Sequence, residues 1–188
     1  LFEVEYPAKG NPELAKETAE LLAPTSVIET DSWGLDHGAW SVIKHLYPAA
    51  NIPVIQMSID YTQSAQYHFD LAKKLQKLRE KGILIIGSGN VVHNLRMIDW
   101  KNINTVGAGW DWAIEARAKT NEWILDGNFQ NLINFEKQGT ALQNAIPTPD
   151  HYLPLIYTIG LKEKSDNISL FNDELIGGSL SMTSVFVG

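Results

Sequence analysis

Three of the five histidines in this 188-residue chain, His37, His93 and His151, fall in loops or at helix starts. An imidazole in such a place can carry a proton or bind a metal near neutral pH. His45 and His68 sit inside amphipathic helical patterns and are assigned no role. There is no cysteine, which removes disulfides, thiolate metal sites and a thiol nucleophile, and leaves His, Asp and Glu as possible ligands. No HxH or HxxxH pair fixes a metal by spacing alone. A GxSxG elbow, a Walker loop and a GxGxxG fingerprint are all absent, so serine hydrolysis and nucleotide chemistry have no support.

The strongest local signal in the chain is the stretch 82–95, GILIIGSGNVVHNL. The apolar run 83–86 followed by Gly87, Ser88, Gly89 and Asn90 reads as a strand buried on both faces that ends in a tight loop. Asn90 is expected to cap a short helical turn over 91–95. His93 is thereby delivered to the carboxyl edge of a central strand, where open α/β sheets bind ligands, as a metal ligand or proton carrier. His37 lies in a loop, 31–40, that follows a short strand over 26–30, which puts it on the same edge. Thr148 and Pro149 read as the N-cap and first residue of a helix running to Gly160. His151 falls in its first turn, where the helix dipole favours the neutral imidazole that can bind a metal.

The remaining pattern alternates strand, loop and helix. A half-buried strand over Phe2, Val4 and Tyr6 leads to a helix from about 11 to 22, and a second helix covers about 39–47. A strand over 52–59 precedes a helix of about 63–80 with apolar residues at spacings of three and four. Further helices are expected at 110–122 and 129–137, and strands at 168–172 and 180–187. Two successive strand-helix-strand units predict an α/β fold with a central mostly parallel sheet flanked by helices, a single domain over residues 1–188. The net charge of -7 comes without a basic patch, which argues against a nucleic-acid partner. No apolar run is long enough to span a bilayer, and a soluble, cytoplasmic protein without membrane contact is expected. The chain opens at Leu1 in mid-pattern, with no signal peptide, and reads as the remainder of a longer protein.

Five motifs, in order, resemble one family. WGLDHGAW at 33–40, PVIQMSID at 53–60, GSGNVVHNL at 87–95, PTPDHYLP at 147–154 and GSLSM at 178–182 are similar to the DOPA-type extradiol ring-opening dioxygenases of the class III extradiol superfamily. The resemblance implies cleavage of a catechol ring, such as that of 3,4-dihydroxyphenylalanine, by O2. It implies a divalent metal, Zn2+ or Fe2+, with His93 and His151 as ligands and His37 as an acid/base residue. In the wider superfamily the histidine of the glycine-rich loop transfers protons, so His93 has both roles open to it. Two histidine motifs of the family's amino-terminal segment, HGSP and SAHW, do not occur in this chain. The expected partners are therefore a small catechol and O2, with the oligomeric state open. The alternatives are a non-catalytic metal- or ligand-binding protein on the same fold and, third, a metal-dependent hydrolase.

Overall fold

The helices form where local signals start them. In the computed structural model, which describes residues 4–188, the chain divides into two compact units, Leu1–Ile59 and Asp60–Gly188. Phe2, part of the expected entry strand, lies outside the described residues. In the first unit α1 (Pro12–Leu22) begins with Pro12 at its first position, and the Asn11 side chain accepts from the Leu14 N–H. Helix α2 (His37–Leu46) is capped by Asp36, whose carboxylate accepts from the Ala39 N–H. Loops tie this unit together: the Tyr6 hydroxyl donates to the Tyr47 carbonyl at 2.8 Å, and the Val54 N–H to the Lys9 carbonyl at 2.8 Å.

The second unit holds the larger core. Helix α3 (Ala65–Arg79), capped by Ser64, buries Ala65, His68, Leu71, Ala72, Leu75 and Leu78, one face at spacings of three and four. It packs on α7 (Leu153–Gly160). Close contact is possible because Gly160 has no side chain: a Cβ there would lie 2.6 Å from the Ala72 Cβ. Helix α4 (Asp111–Leu125) buries Ala113, Ala116, Thr120 and Ile124 and packs on α6 (Thr140–Ala145). Between them lie α5 (Phe129–Ile133) and a 3-10 turn, Phe135–Lys137. Strands β1 (Ile168–Phe171) and β4 (Ser184–Val187) pair antiparallel, as do β2 (Leu175–Ile176) and β3 (Leu180–Ser181).

The expected central parallel sheet is absent from the described residues. Among the described residues the strands are short, antiparallel and confined to two two-stranded sheets. The stretches 26–30, 52–59 and 83–87 run without joining a ladder. A run of aliphatic residues meets the local requirement of a strand, but a strand also needs a neighbour to take its N–H and C=O groups. Among the described residues 83–87 have no strand beside them, the Ile83 N–H going instead to the Leu78 carbonyl at 3.2 Å, and Leu84 and Ile86 are 61% and 41% exposed. Among the described residues the α/β expectation is thus replaced by seven α-helices with two small antiparallel strand pairs. The last expected strand, 180–187, is split into β3 and β4, and α6 was not foreseen from the sequence.

Candidate active site

His93 and His151 come together. Their rings stack with centroids 3.6 Å apart and planes inclined by 21°. Each is held by its own loop, and the loops are held to each other. The Asn90 N–H donates to the His151 carbonyl at 2.8 Å, and the His93 N–H to the Ala145 carbonyl at 2.9 Å. Gly89 makes this approach possible, because a Cβ at that position would overlap the His151 carbonyl oxygen. On either side of His93 the chain is sunk into the core: Val91, Val92 and Asn94 are all buried.

His151 has a comparable anchor. Its neighbour Tyr152 is wholly buried, donates from its hydroxyl to the Leu132 carbonyl at 2.9 Å and packs on Phe135 with ring centroids 4.8 Å apart. His151 itself lies in a turn, two residues before α7 begins at Leu153. The turn is closed by bonds from the Tyr152 and Leu153 N–H groups to the Pro149 carbonyl. The expected helix start at Thr148 is therefore corrected, and so is the placement of His151 in a first helical turn. Likewise the helical turn after His93 is a 3-10 turn, Leu95–Met97, capped by Asn94. Asn90, the expected cap, instead donates from its side chain to the Ser181 carbonyl at 2.7 Å.

The electrostatics of the pair favour a neutral His93. Burial lowers its pKa below the ordinary histidine value, and the nearby His151 lowers it further, against the pull of Asp150. The Asp150 carboxylate, 3.4 Å from His151 Nε2, sits below its usual range: burial opposes this, but the hydrogen bond from Thr148 and the two imidazoles outweigh it.

His37 is the first residue of α2 and is exposed; it belongs to the first unit. Beside it, the two carboxylate oxygens of Asp36 are engaged, one with the Ala39 N–H and one with the Gln56 side chain at 3.0 Å. Asp36 thus acts as a helix cap. The other two histidines carry no site: His68 is a core residue of α3, and His45 lies in the last turn of α2.

The metal expectation meets a geometric limit. Among the described residues no group of three His, Asp or Glu side chains is arranged to hold an ion. Imidazole lone pairs lie in the ring plane, so two rings stacked face to face direct them side by side and not at one point. His93 and His151, as they stand, do not bind one ion together, and fewer than three protein ligands do not make a catalytic centre. The described residues alone do not fit a complete metal site.

Residues 1–182 match the family described as LigB, the catalytic LigB subunit of aromatic ring-opening dioxygenase. The chain belongs to this family, which places it among the ring-cleaving oxidoreductases. Among its relatives is the 4,5-DOPA dioxygenase extradiol of Escherichia coli (strain K12), 40% identical over 191 residues that cover 100% of this chain and 69% of the relative. The proteins of the same name from Mirabilis jalapa and Beta vulgaris are 33% and 31% identical, covering 92% and 98% of this chain and 64% and 68% of their own lengths. A crystal structure of an uncharacterized Escherichia coli K12 protein matches with a TM-score of 0.85 and 38% identity, over 98% of this chain and 76% of that one.

Proposed function

We propose that this chain serves a metal-dependent extradiol dioxygenase that opens the ring of a catechol such as 3,4-dihydroxyphenylalanine with O2. The observation that carries the reading is the stacked pair His93 and His151, brought together from two family-like motifs and fixed at 3.6 Å. Rings stacked face to face are not aimed at one ion, which supports giving the two histidines different roles. His151 is the residue of the pair assigned to the metal, Zn2+ or Fe2+, and His93 is the proton carrier. A redox-active divalent metal, if bound, would give ring electrons a route to O2.

What this chain's own residues do is move and hold protons. A catechol has to lose protons to be attacked, and a neutral ring nitrogen on His93 is ready to accept one. Burial keeps that nitrogen unprotonated near neutral pH. The resulting imidazolium is offset by the Asp150 carboxylate, which draws the His93 pKa back up, and can return the proton as the product forms. General acid-base help of this kind is worth about 10²- to 10⁴-fold in rate. His37 is proposed as a second acid/base residue on the family resemblance of its Asp36-His37-Gly38 motif.

The test is anaerobic reconstitution with Fe2+, followed by O2 and 3,4-dihydroxyphenylalanine, with oxygen consumption and the yellow ring-opened semialdehyde as readouts. One O2 consumed per semialdehyde formed is expected, and the Zn2+ form should be inert. Intact metal binding without product across several catechols would overturn the dioxygenase reading and leave a binding protein on this fold.

A further inference from the structure

One family-like motif, Gly178 to Met182, is not absorbed by the stacked pair, yet the chain places it directly against His93. Strand β3 lies between β2, where Leu175 faces Ser181, and the segment carrying His93, where Leu180 pairs antiparallel with His93. Around that one pairing the bonds are nearly symmetric. The Ser181 N–H donates to the Val92 carbonyl at 3.0 Å and the Asn94 N–H to the Ser179 carbonyl at 3.1 Å. Two serine hydroxyls add a second pair: Ser181 Oγ accepts from the Val92 N–H at 3.1 Å, and Ser179 Oγ donates to the Asn94 carbonyl at 2.8 Å. Each hydroxyl therefore grips the main chain one residue from His93, on opposite sides.

Both serines are wholly buried, where a hydroxyl is expected only if its bonds are needed. Gly177 and Gly178, with φ of 56° and 76°, turn the chain immediately before Ser179. Asn94 extends the grip: its side chain donates to the Asn144 carbonyl at 2.7 Å and accepts from the Arg96 N–H at 3.2 Å.

We infer that Ser181 and Ser179 are positioning residues, a two-hydroxyl clamp that fixes the backbone on both sides of His93 and so holds its ring stacked on His151. The inference rests on the proposed proton-carrying role of His93. Without the Ser181 hydroxyl, the buried Val92 N–H has no acceptor, and the chain relieves this by shifting the loop. The Asn94 carbonyl, which also accepts from the Met97 N–H, is less dependent on Ser179. Ser181 is thus the more consequential of the two.

The experiment compares S181A, S181T and a control, T120A, in the whole chain. Thr120 is equally buried and bonds within α4, to the Ala116 and Arg117 carbonyls. Two readouts are taken. The first is the ring C–H resonances of His93 and His151 in the metal-free protein, which stacking shifts by mutual shielding. The second is kcat and KM for catechol cleavage by the Fe2+-loaded protein. S181A should move both sets of ring resonances toward unstacked values and lower kcat roughly 10- to 100-fold, as expected for a displaced catalytic group, with KM unchanged. S181T keeps the hydroxyl and should return both readouts most of the way, while T120A lowers the melting temperature alone. If S181A leaves the resonances in place, or if T120A moves them equally, the clamp is overturned. Should S181A not fold, S179A is read in the same way for a smaller displacement. If the wild-type protein opens no catechol, the functional reading fails, and the resonances still decide the clamp separately.

Discussion

At the scale of single residues, the family resemblance implies His151 as a metal ligand and leaves His93 open between ligand and proton carrier, and their face-to-face stacking supports the proposal that the two work separately. Both histidines stand out in the sequence through their loop or helix-start positions and their family-like motifs, although the sheet edge expected to carry His93 and the helical turn expected to carry His151 are not formed among the described residues. Their face-to-face contact at 3.6 Å was not legible, since it joins residues 58 positions apart by number. The roles separate experimentally. H151A should lose metal on gel filtration together with activity, whereas H93A should retain metal and lose about 10²- to 10⁴-fold in kcat. H37A is expected to abolish ring cleavage with metal still bound, measured as metal content beside oxygen uptake. Metal lost from H93A would return it to the ligand role, and metal lost from H37A would remove the acid/base assignment.

At the scale of elements, the sequence is informative where structure is decided locally. Asn11 marks the start of α1 because it caps with its own side chain, whereas the side-chain caps Asp36 and Ser64 set α2 and α3 two residues away from their expected starts near 39 and 63. Helix α6 has no side-chain cap and starts behind Gly139, whose φ of 96° suits a break as well as a beginning. The strand expectations fail for a different reason: the aliphatic run 83–86 has the composition of a strand, but pairing depends on what lies alongside. The alternation at 180–187 hides its meaning too, since Ser179, Ser181 and Thr183 are buried while Met182 is 45% exposed. Close approach of elements is likewise set by residues that carry no side-chain signal. A Cβ at Gly89 would strike the His151 carbonyl, and one at Gly160 would press Ala72 of α3. G89A and G160A should each lower stability by about 1–3 kcal/mol in urea denaturation, as overpacked sites do. Only G89A should also unstack the two histidine rings, because it alone parts their loops. Equal ring shifts in both variants would mean that the α3–α7 contact, and not the glycine loop, sets the pair.

At the scale of the whole molecule, the second unit closes through α3 and α7, and a buried histidine makes that closure sensitive to pH. His68 is fully buried, with Nε2 3.0 Å from the Asp60 carbonyl and Nδ1 2.9 Å from the Tyr157 hydroxyl. A carbonyl only accepts, so Nε2 carries the proton and Nδ1 accepts from Tyr157, which leaves the ring neutral and satisfied. Burial lowers the His68 pKa, against the bond to the Asp60 carbonyl and the Asp60 charge, and raises the Tyr157 phenol to about 12. With the folded value below the unfolded value of about 6.5, the unfolded chain binds more protons between the two. Stability from this site is therefore complete above about pH 6.5 and is lost as pH falls, by at most about 1.4 kcal/mol per pH unit for one group. His93, lowered by burial first, has the same sign. A second loss belongs to Asp166, held low chiefly by its hydrogen bond from Arg79 at 2.6 Å; its contribution is present above about pH 3.9 and disappears below it. Urea midpoints of the metal-free protein should thus fall in two steps on acidification. In H68Q the midpoint starts lower at neutral pH and the first step shrinks to the part due to His93, with the carboxylate step unchanged. A first step of undiminished size in H68Q would show that the helix contact does not sense protons through His68.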